Sequence, residues 1–203
     1  MQSKTQIESR LKDAFKALAL EEPVEKITIQ QIAERAGVIR TTFYNHFQDK
    51  YDLMEYIIRE DIVEPIGSLI DNDMIDEAVV LIFSNLMREK ELYQRLAKTS
   101  GQNSFEEIVQ KCVNDLLYQV IAKKIQARID TKSLKHIWLS PEMVSMYYSK
   151  TMSFIVMYWI ELGMPYSPRE LGVIYEYIIS HSLQDVVDEL QDDAQGGMQG
   201  GAS

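Results

Sequence analysis

Six polar side chains fall within seven consecutive positions of this sequence: Arg40, Thr41, Thr42, Tyr44, Asn45 and His46. On a helix turning about 100° per residue, Phe43 and Phe47 share the inward face and Thr41 and Asn45 point away from it. Arg40 and Tyr44 then lie on one shoulder, Thr42 and His46 on the other. The exposed face presents guanidinium, hydroxyl, amide and imidazole groups and no carboxylate to repel phosphate. Those are the groups that hydrogen-bond base edges and backbone oxygens in a DNA major groove. No catalytic or metal chemistry competes with this reading. His46, His136 and His181 are scattered, and none has a neighbouring ligand at metal spacing. No Ser/His/Asp set has a recognisable local context. The expectation is a non-enzyme without cofactors.

A short recognition helix needs elements to hold it, and the flanking sequence supplies them. Thr28-Ile29-Gln30-Gln31 is a capping-box pattern opening a helix that buries Ile29, Ile32, Ala33 and Ala36. Gly37 fits the left-handed residue that ends it. A second short helix is predicted over Arg40 to Phe47, and Asp49 caps another with Tyr51, Leu53, Met54, Ile57 and Ile58 on its apolar stripe. Ahead of these, Ser3 to Gln6 is a capping pattern before Ile7, Leu11, Phe15 and Leu18, and Glu21-Glu22-Pro23 breaks that helix. Residues 28–50 thus read as a helix-turn-helix with a tight glycine turn, with Ala33 and Val38 small enough for close crossing.

The 203-residue chain is 46% hydrophobic, which supports a real core, and its net charge of −10 is at first sight wrong for a DNA binder. The charge is unevenly divided. Residues 1–50 hold eight Lys/Arg against seven Asp/Glu, or +1; residues 51–203 hold 13 against 24, or −11. The acidity lies outside the proposed contact surface and suggests two units with different tasks. No run of about 18 apolar residues and no secretory pattern is visible, so no membrane partner and a cytoplasmic location are expected. The single cysteine, Cys112, reads as a packed small hydrophobe.

Three segments carry a family resemblance: Ile32 to Val38 (IAERAGV), Thr42 to Phe47 (TFYNHF) and Lys50 to Leu53 (KYDL). Together they resemble the N-terminal domain of the TetR family of transcriptional regulators, over residues 5–60. The resemblance implies that Arg40 and Thr41 reach base edges and that Thr28, Thr42, Tyr44, His46 and Lys50 contact the backbone. Gln30 touches either, and Asn45 joins the set from its place on the exposed face. One departure stands out. Ile39 occupies a position where the family often has a polar residue, frequently serine, which removes a capping side chain.

Beyond Pro65-Ile66-Gly67, read as a bend, helices are predicted near 73–88, 91–99, from Ser104 to Arg128, from Ser140-Pro141 to Leu162, and over 168–190. Residues 129–139 are ambiguous, and the tail 191–203 is expected to be disordered. The fold expected is all-α: a three-helix DNA-binding domain (1–50, with a connecting helix 50–64), then a larger helical ligand and dimerisation domain (65–190). That second domain is loosely similar to the TetR-type C-terminal domain common in Firmicutes. By that resemblance it binds a small-molecule effector and forms a homodimer on a palindromic operator, usually as a repressor. Candidate pocket residues are Phe83, Met87, Tyr118, Tyr147, Phe154 and Tyr158, with ordinary core packing as the competing reading. Candidate dimer residues are Tyr148, Met152, Trp159, Leu171, Tyr175, Ile178 and Ile179. The alternative function is a co-regulator of the same family that acts through protein–protein contacts without touching DNA.

Overall fold

A computed structural model describes residues 4–101, 103–128, 140–181 and 185, without the side chains of residues 123–128 and Ile179. The Ser3 cap, the ambiguous stretch 129–139, the end of the last helix and the tail from Gln191 lie outside the described residues. Among those described there is no strand, and the protein is all-α as expected.

The first helix, α1 (Lys4–Glu21), buries Leu11, Ala14, Phe15, Leu18 and Ala19 and ends ahead of Pro23. After a 3-10 turn (Val24–Lys26) comes α2 (Ile29–Arg35). Its capping box is complete: the Gln31 N–H donates to Thr28 Oγ1 at 3.2 Å, and the Thr28 N–H donates to Gln31 Oε1 at 2.8 Å. Gly37 has φ +65°, and a Cβ there would stand 2.6 Å from Arg10 Nη2. The backbone conformation favours glycine here, and any larger residue would also have to displace the Arg10 guanidinium. α3 (Arg40–Tyr44) is shorter than the predicted 40–47. Residues 45–47 continue as a turn whose N–H groups bond back to residues 41–43, which keeps Phe43 and Phe47 on the inner side. α4 (Lys50–Ile58) starts at Asp49, whose carboxylate accepts from the N–H groups of Tyr51 and Asp52 at 2.7 and 2.9 Å.

The expected bend at 65–67 is not a break. The helix widens into a π turn (Arg59–Val63), tightens into a 3-10 turn (Glu64–Ile66) and continues as α5 (Gly67–Asp71). Proline explains the adjustment. Residue 65 has no N–H to give the carbonyl four residues back, that of Asp61. The buried side chain of Asn85 donates to that carbonyl instead, at 3.0 Å.

Five further helices follow: α6 (Ile75–Arg88), α7 (Lys90–Leu96), α8 (Phe105–Arg128), α9 (Pro141–Glu161) and α10 (Pro168–Ser180). Serines cap the last two, Ser140 accepting from the Met143 N–H and Ser167 completing a capping box with Glu170. α8 packs on α9 and α6 on α10. Along α9 the inward row is Ser145, Ser149 and Ser153, each at most 2% exposed, leading to Val156 and Trp159. Small side chains at a four-residue spacing let neighbouring helices approach closely. Ser145 and Ser149 turn their hydroxyls back to carbonyls of their own helix.

Candidate nucleic-acid interface and interior cavity

α3 is only five residues long and is held in place by its neighbours. Phe43 is fully buried, with its ring 5.8 Å from that of Phe47, which in turn meets Tyr56 of α4 at 5.2 Å. A buried phenylalanine is worth about 3–5 kcal/mol against truncation, more than so short a helix could supply alone. Arg10 of α1 donates to the carbonyls of Ala36 and Gly37, tying the turn to α1. Arg40, Thr41, Tyr44 and Asn45 stand exposed on the outer face, and Thr42 is half-buried. Arg40 lies along Tyr44, its Nη2 3.1 Å from the phenol oxygen and its guanidinium carbon 5.5 Å from the ring centre. Residues 35–48 contain no carboxylate. Ile39, at the N-cap of α3, makes no capping bond and is 70% exposed.

Other members of the predicted set are engaged within the fold. Lys50 Nζ donates to three carbonyls, those of Val24 (2.7 Å), Glu25 (2.9 Å) and Ile27 (2.9 Å). Burial outweighs the charges of Glu25, Asp49 and Glu22 and holds its pKa below the usual lysine value. These bonds tie the 24–27 turn to α4. His46 Nδ1 lies 3.2 Å from Glu8 Oε1, with the side chain only 9% exposed against α1. Thr28 uses its hydroxyl in the capping box, and the Gln30 amide donates to Glu34, although both residues are exposed.

A cluster of ions joins α1 to the π turn. Lys12 Nζ meets Glu60 at 2.7 Å and Asp61 at 3.1 Å; Lys16 Nζ meets Asp61 at 2.5 Å and Glu89 at 2.7 Å. Burial opposes ionisation of Asp61, but hydrogen bonds from Lys16 and Lys12 hold its carboxyl below the ordinary value. The other side of the same segment faces an apolar cavity of about 820 Å³. Ile58, Ile62 and Val63 form its wall there, with Ile66, Ile70 of α5, Tyr93 of α7 and residues of α6, α8, α9 and α10 closing the remainder. Cys112 is among the lining residues, and burial pushes its thiol up to about 12, so it stays protonated and packs as the small hydrophobe expected.

Comparison with known proteins places the chain. Residues 73–181 match the family described as "Transcriptional regulator C-terminal region", and residues 13–57 match "Bacterial regulatory proteins, tetR family". The chain belongs to the TetR family. This TetR-family protein is therefore a DNA-binding transcriptional regulator with a helix-turn-helix, not an enzyme. It is 37% identical over 60 residues to the uncharacterized HTH-type transcriptional regulator YxbF of Bacillus subtilis, a match covering 30% of this chain and 16% of the relative. It is 40% identical over 53 residues to an HTH-type transcriptional regulator of Staphylococcus aureus, covering 26% and 29% respectively. The matched segments thus span under a third of these relatives. Among solved structures, the dihydroxyacetone kinase operon activator DhaS aligns with a TM-score of 0.56 at 22% identity, over 82% of this chain and 90% of its own. NalD, the secondary repressor of the MexAB-OprM multidrug efflux pump in Pseudomonas aeruginosa, aligns with a TM-score of 0.51 at 19% identity, over 86% and 94%. Both share the fold.

In this TetR-family regulator the predicted pocket residues and the predicted dimer residues are each divided among cavity, core and outer surface. Of the pocket candidates, Phe83 lines the cavity, while Met87 is half-buried beside it in the core. Tyr147, Phe154 and Tyr158 are 64%, 64% and 54% exposed on the outside of α9, and Tyr118 is also exposed, its hydroxyl 3.3 Å from Glu142. Of the dimer candidates, Met152 and Tyr175 line the cavity, and Trp159 and Leu171 are buried in the protomer's own core. Tyr148 and Ile178 are exposed, and the side chain of Ile179 lies outside the described residues. The cause is that α9 is apolar on nearly every side, so periodicity alone does not orient it. The serine row at 145, 149 and 153 is the signal that does. The cavity wall from Ile58 to Ile70, and Tyr93, went unpredicted because isolated isoleucines and a lone tyrosine read as ordinary core.

Proposed function

We propose that this protein is a homodimeric, ligand-responsive repressor that binds a palindromic operator. Residues up to 64 form the DNA-binding unit, and those from 65 to 190 the ligand and dimer unit. One observation carries the reading. The π turn Arg59–Val63 contributes Ile62 and Val63 to the cavity wall and Glu60 and Asp61 to the ion cluster on α1. π turns interrupt the regular helix ladder and recur at functional positions. A ligand that prefers one arrangement of this segment shifts α1, and with it α3, through that differential affinity alone. Arg40 and Thr41 read bases; Tyr44, Asn45, Thr42, Thr28 and Gln30 face the backbone; His46 and Lys50 position the others. Exposed Tyr147, Tyr148, Phe154 and Tyr158 of α9, with Ile174 and Ile178 of α10, supply a dimer surface, as paired half-sites require. Repression follows because a bound dimer blocks the base pairs it covers.

The test uses duplex DNA from beside the protein's own gene. The reading expects two protomers per site and a symmetric footprint whose halves are about 34–36 Å apart or a multiple of that. It also expects a promoter that becomes more active when the gene is deleted. A single protomer on the DNA, or a promoter that falls silent on deletion, overturns the dimer or the sign respectively. Regulation without any DNA complex would favour the protein-contact alternative.

A further inference from the structure

Ile39 is the most exposed large hydrophobic side chain among the described residues, at 70%. It stands at the N-cap of α3, immediately before Arg40 and Thr41. Within residues 4–58 the other large hydrophobics left exposed are Leu20 and Tyr44, so this unit does not show apolar groups to water freely. The backbone at Ile39 is extended, with φ −83° and ψ 154°, and successive side chains of an extended chain point to opposite sides. Val38 packs against the core, which sends Ile39 outward. The residue is unfavourable for the fold twice over: no side chain caps the start of α3, and a branched aliphatic group meets solvent.

What the outer face of α3 meets decides whether that group has a partner. Donors and acceptors are spread over the major-groove edges of all four standard bases, whereas the apolar group among them is the C5-methyl of thymine. Over cytosine or a purine the same side chain would cover a polar edge and leave it without water or partner. Successive Cα atoms are about 3.8 Å apart and successive bases of a strand about 3.4 Å. A side chain next in sequence to Arg40 is therefore spaced for the base pair beside the one that Arg40 reads.

We infer that Ile39 is a specificity-determining residue whose side chain packs on the C5-methyl of a thymine in each half-site, at the base pair next to the one read by Arg40. This rests on the reading of α3 as the base-contacting helix and adds an apolar reader to its polar ones.

The experiment uses the full chain and a duplex selected from a randomised pool. Each thymine of the half-site is replaced in turn, symmetrically in both halves, by deoxyuridine, which removes the methyl and leaves every base-pair hydrogen bond. Anisotropy titration at fixed salt is expected to find one sensitive position, beside the base pair whose preference Arg40→Ala relaxes. There wild type should weaken about fourfold per half-site, or about fifteenfold for the symmetric duplex, as burial of one methyl implies. Ile39→Ser should bind the thymine and deoxyuridine duplexes equally, and Ile39→Val should fall between the two. Any change that deoxyuridine makes to the duplex itself is common to all three proteins, so the difference between them isolates the methyl contact. Ile39→Ser also supplies α3 with a capping side chain, so its loss of discrimination would not come from a weakened fold. A wild type indifferent to the methyl of every thymine overturns the inference. So does an Ile39→Ser protein that discriminates as wild type does, since the methyl would then belong to another side chain. Wild type that binds selected and scrambled duplexes alike defeats the reading of α3 itself. Preference for the selected duplex, with deoxyuridine tolerated everywhere, defeats only the role of Ile39.

Discussion

Lys50→Ala separates two accounts of the residue that begins α4. Family resemblance gives Lys50 a phosphate contact, whereas the structure gives its ammonium three carbonyls between residues 24 and 27 at 2.7–2.9 Å. Hydrogen bonds to charged groups contribute about 1.5–3 kcal/mol each when well buried. Lys50 is half-buried, water replaces part of what is lost, and the lysine regains rotamer freedom. We therefore expect a total loss of about 2 kcal/mol rather than three full bonds. For a chain of this size that lowers the thermal midpoint by about 4–8 °C. Lys50→Arg should not restore it, because a planar fork does not match three carbonyls around one nitrogen. The assay pairs thermal unfolding by circular dichroism with DNA binding across a salt series, at a temperature where the variant is folded. The slope of log affinity against log salt should match wild type. An unchanged midpoint together with a slope reduced by about one would refute the reasoning, since that is the signature of a lost phosphate contact.

Three further perturbations follow from the same geometry. Ile39→Ser supplies the side chain missing at the N-cap of α3 and should stabilise the protein by about 1 kcal/mol, read as a higher urea midpoint at unchanged slope. Asn85→Ala leaves the Asp61 carbonyl beside Pro65 without its donor and should cost about 1–3 kcal/mol in the same assay; a neutral outcome would mean that water replaces the amide freely. Asp61→Asn should flatten the acid limb of stability. The folded carboxyl titrates below its unfolded value of about 3.9 because Lys16 and Lys12 bond it. Its contribution is therefore present above that pH and lost as pH falls through the folded value. The wild-type and variant midpoints should converge below about pH 4, and a constant gap from pH 3 to 7 would contradict this.

The helix-turn-helix was legible because local rules determine it. A capping box at Thr28, glycine at 37, the Asp49 cap and inward Phe43 and Phe47 each act within a few residues, and each is found in place. The same holds for the serine caps of α9 and α10. What escaped depends on distant partners. The π turn arises from Pro65 acting with Asn85, twenty residues later in the chain. Lys50 looks like a free basic residue until the 24–27 turn folds beneath it. α9 carries apolar and aromatic side chains around most of its circumference, so Met152 and Tyr147 could not be assigned to cavity and surface without knowing which side meets α8. Nothing local marks Tyr93 as different from other buried tyrosines; its distinction is an acceptor that no neighbour provides.

The central claim is that the outer face of α3 reads DNA sequence. Its most direct test is selection of bound duplexes from a randomised pool, followed by anisotropy titration of wild type and Arg40→Ala on selected and scrambled sequences at fixed salt. The account predicts that wild type prefers the selected duplex by three orders of magnitude or more. Arg40→Ala should lose about 1–3 kcal/mol on it and relax preference at one base pair in each half-site. Equal affinity for selected and scrambled duplexes, or an Arg40→Ala protein with unchanged preference, would contradict it.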